Sequence, residues 1–455
     1  MWRRKIIFKN IEREIFLFVF IGECMKIIIK KENEELDYAN IINEAISSCS
    51  NNGGGCVYIS KGIYKTSTII FKSNVELQLE EDARIVLHDD LKRFKTIDRH
   101  RDESISRPTW ENCDYDGMPT KYFIYAKDCQ NISITGKGII DGNEEIFYGK
   151  VTKWHIEGSF YPRIPLIYFE NCKNIIVKNV TLTRSAFWTL HLVGDEYVTI
   201  DSIKIDNNLK LTNCDGIDPD HSKHIKITNC NISCADDCVV LKNTKGGIKY
   251  GDCQDIEVSN CVFKSTSAAI KIGTETWNDF KDIRFNNIKI ISSNRGISLM
   301  LRDRGNISNC TFENIDMDLR LFSKIHWWGS DEGIAITVLR REDEVGHIDN
   351  LLFRNININS ENGLLIYGEN NISNCKFENI NLVINKKTDY PHEKIDLRPS
   401  KLDILDSPFY ALTINDASNI TFDNFNVDIE CDYIKELFNV SNSNNIEFKS
   451  FSNSN

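Results

Sequence analysis

The chain has no stretch of 18 or more apolar residues, and so nothing of the length an α-helix needs to cross a bilayer. It lacks a basic excess as well: 55 Lys and Arg stand against 66 Asp and Glu, a net charge of −11. Such a field repels a phosphate backbone and offers no patch to an anionic lipid surface, which argues against nucleic acid and membrane as partners. Cysteine pairs in C-x-x-C spacing are missing too. The 15 cysteines are odd in number and scattered, so neither a disulfide framework nor a zinc cluster is indicated. No composition shift or linker marks a second domain.

Against these absences stands a repeat. The phrase Asn/Asp-Ile-x-Ile/Phe-x-Asn recurs from about residue 131 to 419, and between 174 and 306 its steps are 23, 27, 31, 27 and 24 residues. Each step holds short alternating strands separated by Asn, Gly, Asp and Ser. One such repeat cannot bury its apolar face alone, whereas coils stacked in parallel bury a continuous core. The expected fold is all-β: a single-stranded right-handed parallel β-helix. The repeated Asn residues suit strand ends, where left-handed backbone and side-chain bonding to the main chain both favour them, so their N-x-S/T matches read as solenoid turns and not as glycan sites. Five cysteines follow such an Asn, at Cys172, Cys230, Cys261, Cys310 and Cys375. A free Cys behaves as a small buried hydrophobe, which predicts core thiols and favours a reducing compartment.

Before the repeats, Tyr38–Ser48 has helical apolar spacing and is stopped by Asn51-Asn52-Gly53-Gly54-Gly55. This short helix is expected to cap the open end of the stack, between strands at Met25–Lys30 and Cys56–Ile59. Residues 1–24 combine Arg3-Arg4-Lys5 with the apolar run Ile15–Ile21, a loose imitation of a signal peptide with Glu12 and Glu14 intervening and a poor cleavage site. They are read as a non-native extension or a weak targeting segment. Residues 25–455 are read as a single domain, and the expected location is cytoplasmic, with secretion as the alternative. Segments 90–122, 148–165, 320–346 and 386–407 break the coil period and are expected to project as loops that build a cleft.

The chemistry concentrates where Asn213-Cys214-Asp215-Gly216-Ile217-Asp218 is followed, 21 residues after Asp215, by Ala235-Asp236-Asp237-Cys238. Adjoining coils lie about 4.8 Å apart, so these carboxylates fall in one small region, as glycoside hydrolysis requires of its acid and base. Consecutive strand residues face opposite ways, so Asp236 and Asp237 share a cleft only where the backbone turns.

Together with Ser185–His191 upstream and the AI..C...GGG.VYI..G.Y.T pattern from Ala45, these motifs resemble glycoside hydrolase family 28, the polygalacturonase-like pectin-degrading enzymes with a pectin lyase-like β-helix. The resemblance runs to about Asn314. It implies inverting hydrolysis of a pectin-type, galacturonic acid-containing oligosaccharide or polysaccharide, with Asp236 as general acid and Asp215 and Asp237 holding and deprotonating water. No cofactor and no metal are implied. Two of the family's motifs are missing: Gly-His-Gly falls at Ser267-Ala268-Ala269, and Arg-Ile-Lys near Ser298-Leu299-Met300. The cations that would grip a galacturonate carboxylate are therefore sought elsewhere. Alternation places Lys271 and Arg302 outward as candidates, with Arg295 and Arg304 behind them. Asp218, His191, Trp327 and Trp328 complete the expected substrate-binding set, and Asn213 and Glu275 are expected to support it from behind. Exo action is preferred because the insertions would close one end of the cleft. Rival readings are a related hydrolase of rhamnogalacturonan or a neutral α-linked glycan, a β-helix lyase marked by calcium dependence or an epimerase, and a non-catalytic carbohydrate-binding β-helix.

Overall fold

The computed structural model describes residues 6–7, 16–21, 24–32, 36–97, 121–157, 163–324, 329–341 and 344–454. Nearly all its strands join one continuous, coiling sheet of parallel pairings, a right-handed parallel β-helix. Two-residue alternation explains it. On the face that will carry the site, Ile124, Ile167, Leu190, Ile217, Val239, Ile270, Ile297 and Ile334 lie in register on successive coils and are fully buried. Burying a side chain of this size contributes about 1.5–3 kcal/mol, so the column of branched aliphatics is a principal source of stability.

A second inward column is aromatic. Phe285, Phe312, Phe353, Phe377, Phe422 and Phe448 stack with centroids 4.6–5.5 Å apart and planes within 13°. The spacing matches the strand-to-strand distance of a sheet. Outside the core, Asn314, Asn355, Asn379 and Asn424 all have φ between 56° and 59°. Each later one donates its side-chain amide to the carbonyl oxygen of the one before, at 2.9–3.0 Å. The repeated Asn is thus the left-handed turn residue that the sequence predicts, but its amide bonds the side chain of the neighbouring Asn and not the main chain. Cys172, Cys230, Cys261, Cys310 and Cys375 are free, buried, and each preceded by an Asn with positive φ.

The predicted helix is present as Ala39–Asn51, with Ala39, Ile42, Ala45, Ile46 and Cys49 buried against the end of the stack. Gly54 ends its approach at φ 127°, where a Cβ would meet the Asn74 carbonyl at 2.8 Å. The strand Cys24–Ile29 pairs in parallel with Gly55–Ile59, and on its other edge pairs antiparallel with Phe16–Ile21, the apolar run noted above. No helix among the described residues is long and apolar enough to cross a membrane. Two insertions carry small antiparallel ribbons, Lys150–Val151 with Ile156–Glu157 and Lys394–Asp396 with Ile404–Asp406.

Candidate active site

Two outward columns of the site-bearing face hold the chemistry. The register runs Tyr168, His191, Asp218 along one column, and two residues further Glu170, Val193, Asp220, Lys242 along the next. Lys271 and Ser298 face each other on later coils, as do Gly273 and Met300. Asp215 precedes the strand Ile217–Asp220. Asp236 and Asp237 lie in the bend between Asn231–Cys234 and Val239–Asn243. Because residues 235–238 leave the strand geometry, both carboxylates reach the same side, which meets the condition set by alternation.

One oxygen from each of Asp215, Asp236 and Asp237 lies within 4.8 Å of the others. Asp236 Oδ2 accepts the Asn213 backbone N–H at 3.0 Å. Asn213 is held in turn by Arg163, whose Nη2 donates to its side-chain oxygen at 2.7 Å and whose Nη1 donates to the carbonyls of Ala186 and Thr212. Asp237 accepts from Ser267 Oγ at 2.9 Å, from Ala268 N at 3.1 Å and from Lys271 Nζ at 2.7 Å. The segment expected to carry a histidine instead offers a hydroxyl and an amide, and an ammonium completes the set.

A second cation lies beneath. Lys242 Nζ is 3.8 Å from Asp215, 3.9 Å from Asp218 and 3.6 Å from Glu275, and rests 4.3 Å from the centroid of Trp188. Glu275 keeps 15% of its side-chain surface exposed, and the others are withdrawn from water. Burial, reinforced by the neighbouring Asp236 charge, pushes Asp215 well above the usual carboxylate range; burial and the adjacent Asp237 raise Asp236. Asp218 is raised well above that range by burial, with Asp215 adding to it. Burial acts downward on the Lys242 amine, but the Glu275, Asp215 and Asp218 charges outweigh it and its pKa rises. For Glu275 burial acts upward and is outweighed by Lys242, so its carboxyl is held low. Three oxygens this close could in principle coordinate a cation, yet two amines already supply the counter-charge.

The structure revises several expected roles. His191 is fully buried, its Nε2 3.1 Å from Asp220 Oδ2 and its ring edge-on to Tyr168 and Trp188. Asp218 is equally covered. Neither is placed to touch a sugar; both belong to the floor beneath the acids. Arg302 is the clearest correction. It is fully buried beneath the 386–407 insertion, donating Nε to Pro399 O, Nη1 to Leu301 O and Thr337 O, and Nη2 to Leu397 O, which takes it out of reach of a sugar. Burial drops its pKa to about 9. Lys271 does face the cleft, but against Asp237. Asn213 donates its backbone N–H to Asp236 and Glu275 lies against Lys242, while Trp327 and Trp328 lie outside the described residues. Lys242 and Arg163 escaped the sequence reading. For Lys242 a signal exists: in Val239-Val240-Leu241-Lys242 the alternation that turns Lys271 outward does the same for Lys242, one coil earlier. Arg163 sits in the 148–165 insertion, where no period applies.

Comparison with known proteins bears on the family and the fold. A "Probable polygalacturonase" of Vitis vinifera is 27% identical over 267 residues, 56% of this chain and 51% of that protein. "Probable exopolygalacturonase B" of Aspergillus terreus is 28% identical over 200 residues, 41% of this chain and 42% of that one. The chain thus spans about half the length of these curated relatives. The solved structure titled "Structure of Yersinia enterocolitica Family 28 Exopolygalacturonase" superposes with a TM-score of 0.64 at 15% identity, covering 91% of this chain and 78% of that one. The family model described as "Glycosyl hydrolases family 28" matches residues 109–390, well over half of the sequence, and the chain belongs to that family.

Proposed function

We propose that the protein hydrolyses a glycosidic bond in a pectin-type, galacturonic acid-containing oligosaccharide by single displacement. Asp236 protonates the leaving oxygen, and Asp215 and Asp237 hold and deprotonate the attacking water. The observation that carries this reading is the meeting of three carboxylates within 4.8 Å in a setting that divides their labour. Asp236 has a raised pKa, as an acid needs if it is to keep its proton. Asp237, gripped by Lys271, Ser267 and Ala268, is arranged as an acceptor.

The spacing is shorter than the roughly 6.5–9.5 Å common between the two opposed carboxyls of inverting enzymes. That rule describes groups straddling the bond with water between one of them and the sugar. Here 4.8 Å is a separation between single oxygens; inversion still places the water, gathered by Asp215 and Asp237, on the face of the sugar opposite the leaving oxygen that Asp236 protonates. Elimination with a lysine as base, the lyase alternative, needs that amine unprotonated. The pKa values of Lys242 and Lys271 are both raised: burial acts to lower them, and the surrounding acids, chiefly Glu275 for one and Asp237 for the other, more than offset it. Neither amine is poised to take a proton near neutrality, which supports hydrolysis.

Exo action is part of the proposal, supported by the relatives named as exopolygalacturonases. So are the reading of residues 25–455 as one functional unit and, on the strength of 13 free cysteines among the described residues, a reducing compartment. The experiment is product release from homogalacturonan and rhamnogalacturonan oligosaccharides and a neutral α-glycan panel. The expected result is monomer release from the first. Turnover confined to a neutral glycan would reject the acidic substrate, and ultraviolet-absorbing unsaturated products would reject hydrolysis.

A further inference from the structure

Cys129 and Cys172 occupy the same place on adjoining coils. Lys127 pairs with Glu170 before the turn and Gln130 with Lys173 after it, so the two cysteines between them are in register. The turns match in detail. Asp128 and Asn171 both have φ 53°, and Asn171 Nδ2 donates to Asp128 Oδ1 at 2.6 Å. Each thiol donates to the carbonyl two residues before it, Cys129 to Lys127 O at 3.3 Å and Cys172 to Glu170 O at 3.4 Å. In-register residues of neighbouring parallel strands lie about 4.8 Å apart, inside the roughly 4.4–6.8 Å between Cα atoms that a disulfide spans. Both cysteines are free thiols in this structure.

The two sulfurs differ in reactivity. The Cys172 S–H, lying against the Cys129 sulfur, lowers the Cys129 pKa to about 7; burial and the Asp128 charge oppose this, and the Ser73 hydroxyl supports it. The same contact, together with burial, raises the pKa of Cys172, which keeps its proton. Cys129 lies in a turn between exposed Asp128 and Gln130 with 8% of its own surface reaching solvent, whereas Cys172 is fully enclosed. Asp195 Oδ1 accepts the Cys172 N–H at 2.7 Å and fixes the enclosed partner from the next coil. An ionised, reachable thiol faced by a second thiol is the arrangement that converts an oxidant's attack into a disulfide. Cys230 and Cys261 repeat the stacked geometry, and the Cys234 and Cys238 sulfurs lie 3.7 Å apart, but all four residues are at most 2% exposed.

We propose that Cys129 and Cys172 form a reversible disulfide site, in which a small hydroperoxide oxidises Cys129 and Cys172 resolves it. The Cys129 thiolate attacks one peroxide oxygen, the O–O bond breaks and hydroxide leaves. Cys172 Sγ then attacks the sulfenic sulfur, the S–O bond breaks, and the Cys172 proton departs with the oxygen as water. The two thiols together lose two electrons, which reduce the peroxide. The product joins two coils and closes the loop that contains the 148–165 insertion, whose Arg163 holds Asn213 beside Asp236. This chemistry is independent of which glycan the protein cleaves.

The test treats reduced protein with hydrogen peroxide at neutral pH, blocks remaining thiols with N-ethylmaleimide under denaturing conditions and maps the peptides by mass spectrometry, with thermal melts alongside. A Cys129–Cys172 cross-link is expected before either of the other pairs reacts. It should raise Tm by about 2–4 °C, the size expected for closing such a loop in a chain of this length, and dithiothreitol should reverse both effects. Cys172→Ser should stop at the Cys129 sulfenic acid, trapped by dimedone, and Cys129→Ser should form neither product. Alkylation of Cys129 by iodoacetamide in the native protein should rise with pH through a midpoint at about 7. The wild-type map decides even where a variant fails to fold. Absence of the Cys129–Cys172 cross-link, its formation only after Cys230–Cys261 or Cys234–Cys238, or a cross-link that fails to raise Tm overturns the site, and a folded Cys172→Ser protein without a dimedone adduct on Cys129 removes Cys129 as the residue attacked.

Discussion

Replacing Asp236 with Asn is expected to lower kcat by about 10²–10⁴-fold, the usual contribution of a positioned general acid, while leaving KM within a few fold. Asn keeps the shape and can still accept the Asn213 N–H now bonded to Oδ2, so the fold should survive. What it cannot do is release a proton to the leaving oxygen. The pH profile follows from the same site. Burial and the Asp237 charge raise the Asp236 pKa, so the active, protonated form persists above the ordinary carboxylate range and is lost as pH climbs through the raised value. The alkaline limb of kcat in wild type is therefore assigned to Asp236, and it should be absent from whatever activity the variant retains. Steady-state kinetics across pH check this. A variant with near-wild-type kcat would remove Asp236 from the role of acid.

Lys242→Met is expected to cost about 3–5 kcal/mol of stability near neutrality, the penalty for stripping the partner from buried charges. Asp215, Asp218 and Glu275 all lie within 4 Å of this amine, and Trp188 covers it, so water cannot readily take its place. The sign with pH can be worked out. The folded-state pKa of Lys242 lies above the ordinary 10.5, so its contribution is fully present below 10.5 and is lost only as pH rises through the higher folded value. In the variant, the gap to wild type should narrow in acid, because protonated Asp215 and Asp218 no longer need a counter-charge. Activity should fall as well, since Asp215 loses the cation that favours its ionised form. Urea denaturation at pH 4.5 and 7 measures the first effect. Equal destabilisation at both values would mean that the lost side chain mattered for packing and not for charge.

The fold was legible because its signal is repeated. Each inward Ile and each left-handed Asn recurs at the same place in every coil, so one misread coil is outvoted by its neighbours, and the helix Ala39–Asn51 announced itself through apolar spacing and a glycine stop. The acids were legible because Asp215, Asp236 and Asp237 are bunched in sequence as well as in space. Cations were harder. Alternation correctly turned Lys271 outward but could not say that Asp237 would claim it, since that contact joins residues 34 apart. Nor could it say that the 386–407 insertion would cover Arg302, which spends its donors on the carbonyls of Leu397 and Pro399. Arg163 reaches the site from an insertion, where there is no period to read, and its position is fixed by tertiary contacts alone, with the carbonyls of Ala186 and Thr212.

The most direct test of the central claim is the configuration of the first sugar released. Proton NMR recorded during early turnover of α-linked galacturonate oligosaccharides resolves the anomers before mutarotation mixes them. Water held by Asp215 and Asp237 and a proton delivered by Asp236 in one displacement predict the β-anomer as the initial product. Initial release of the α-anomer would mean that one of these carboxylates attacks the sugar and forms a covalent intermediate, and would contradict the assignment of a water-holding pair.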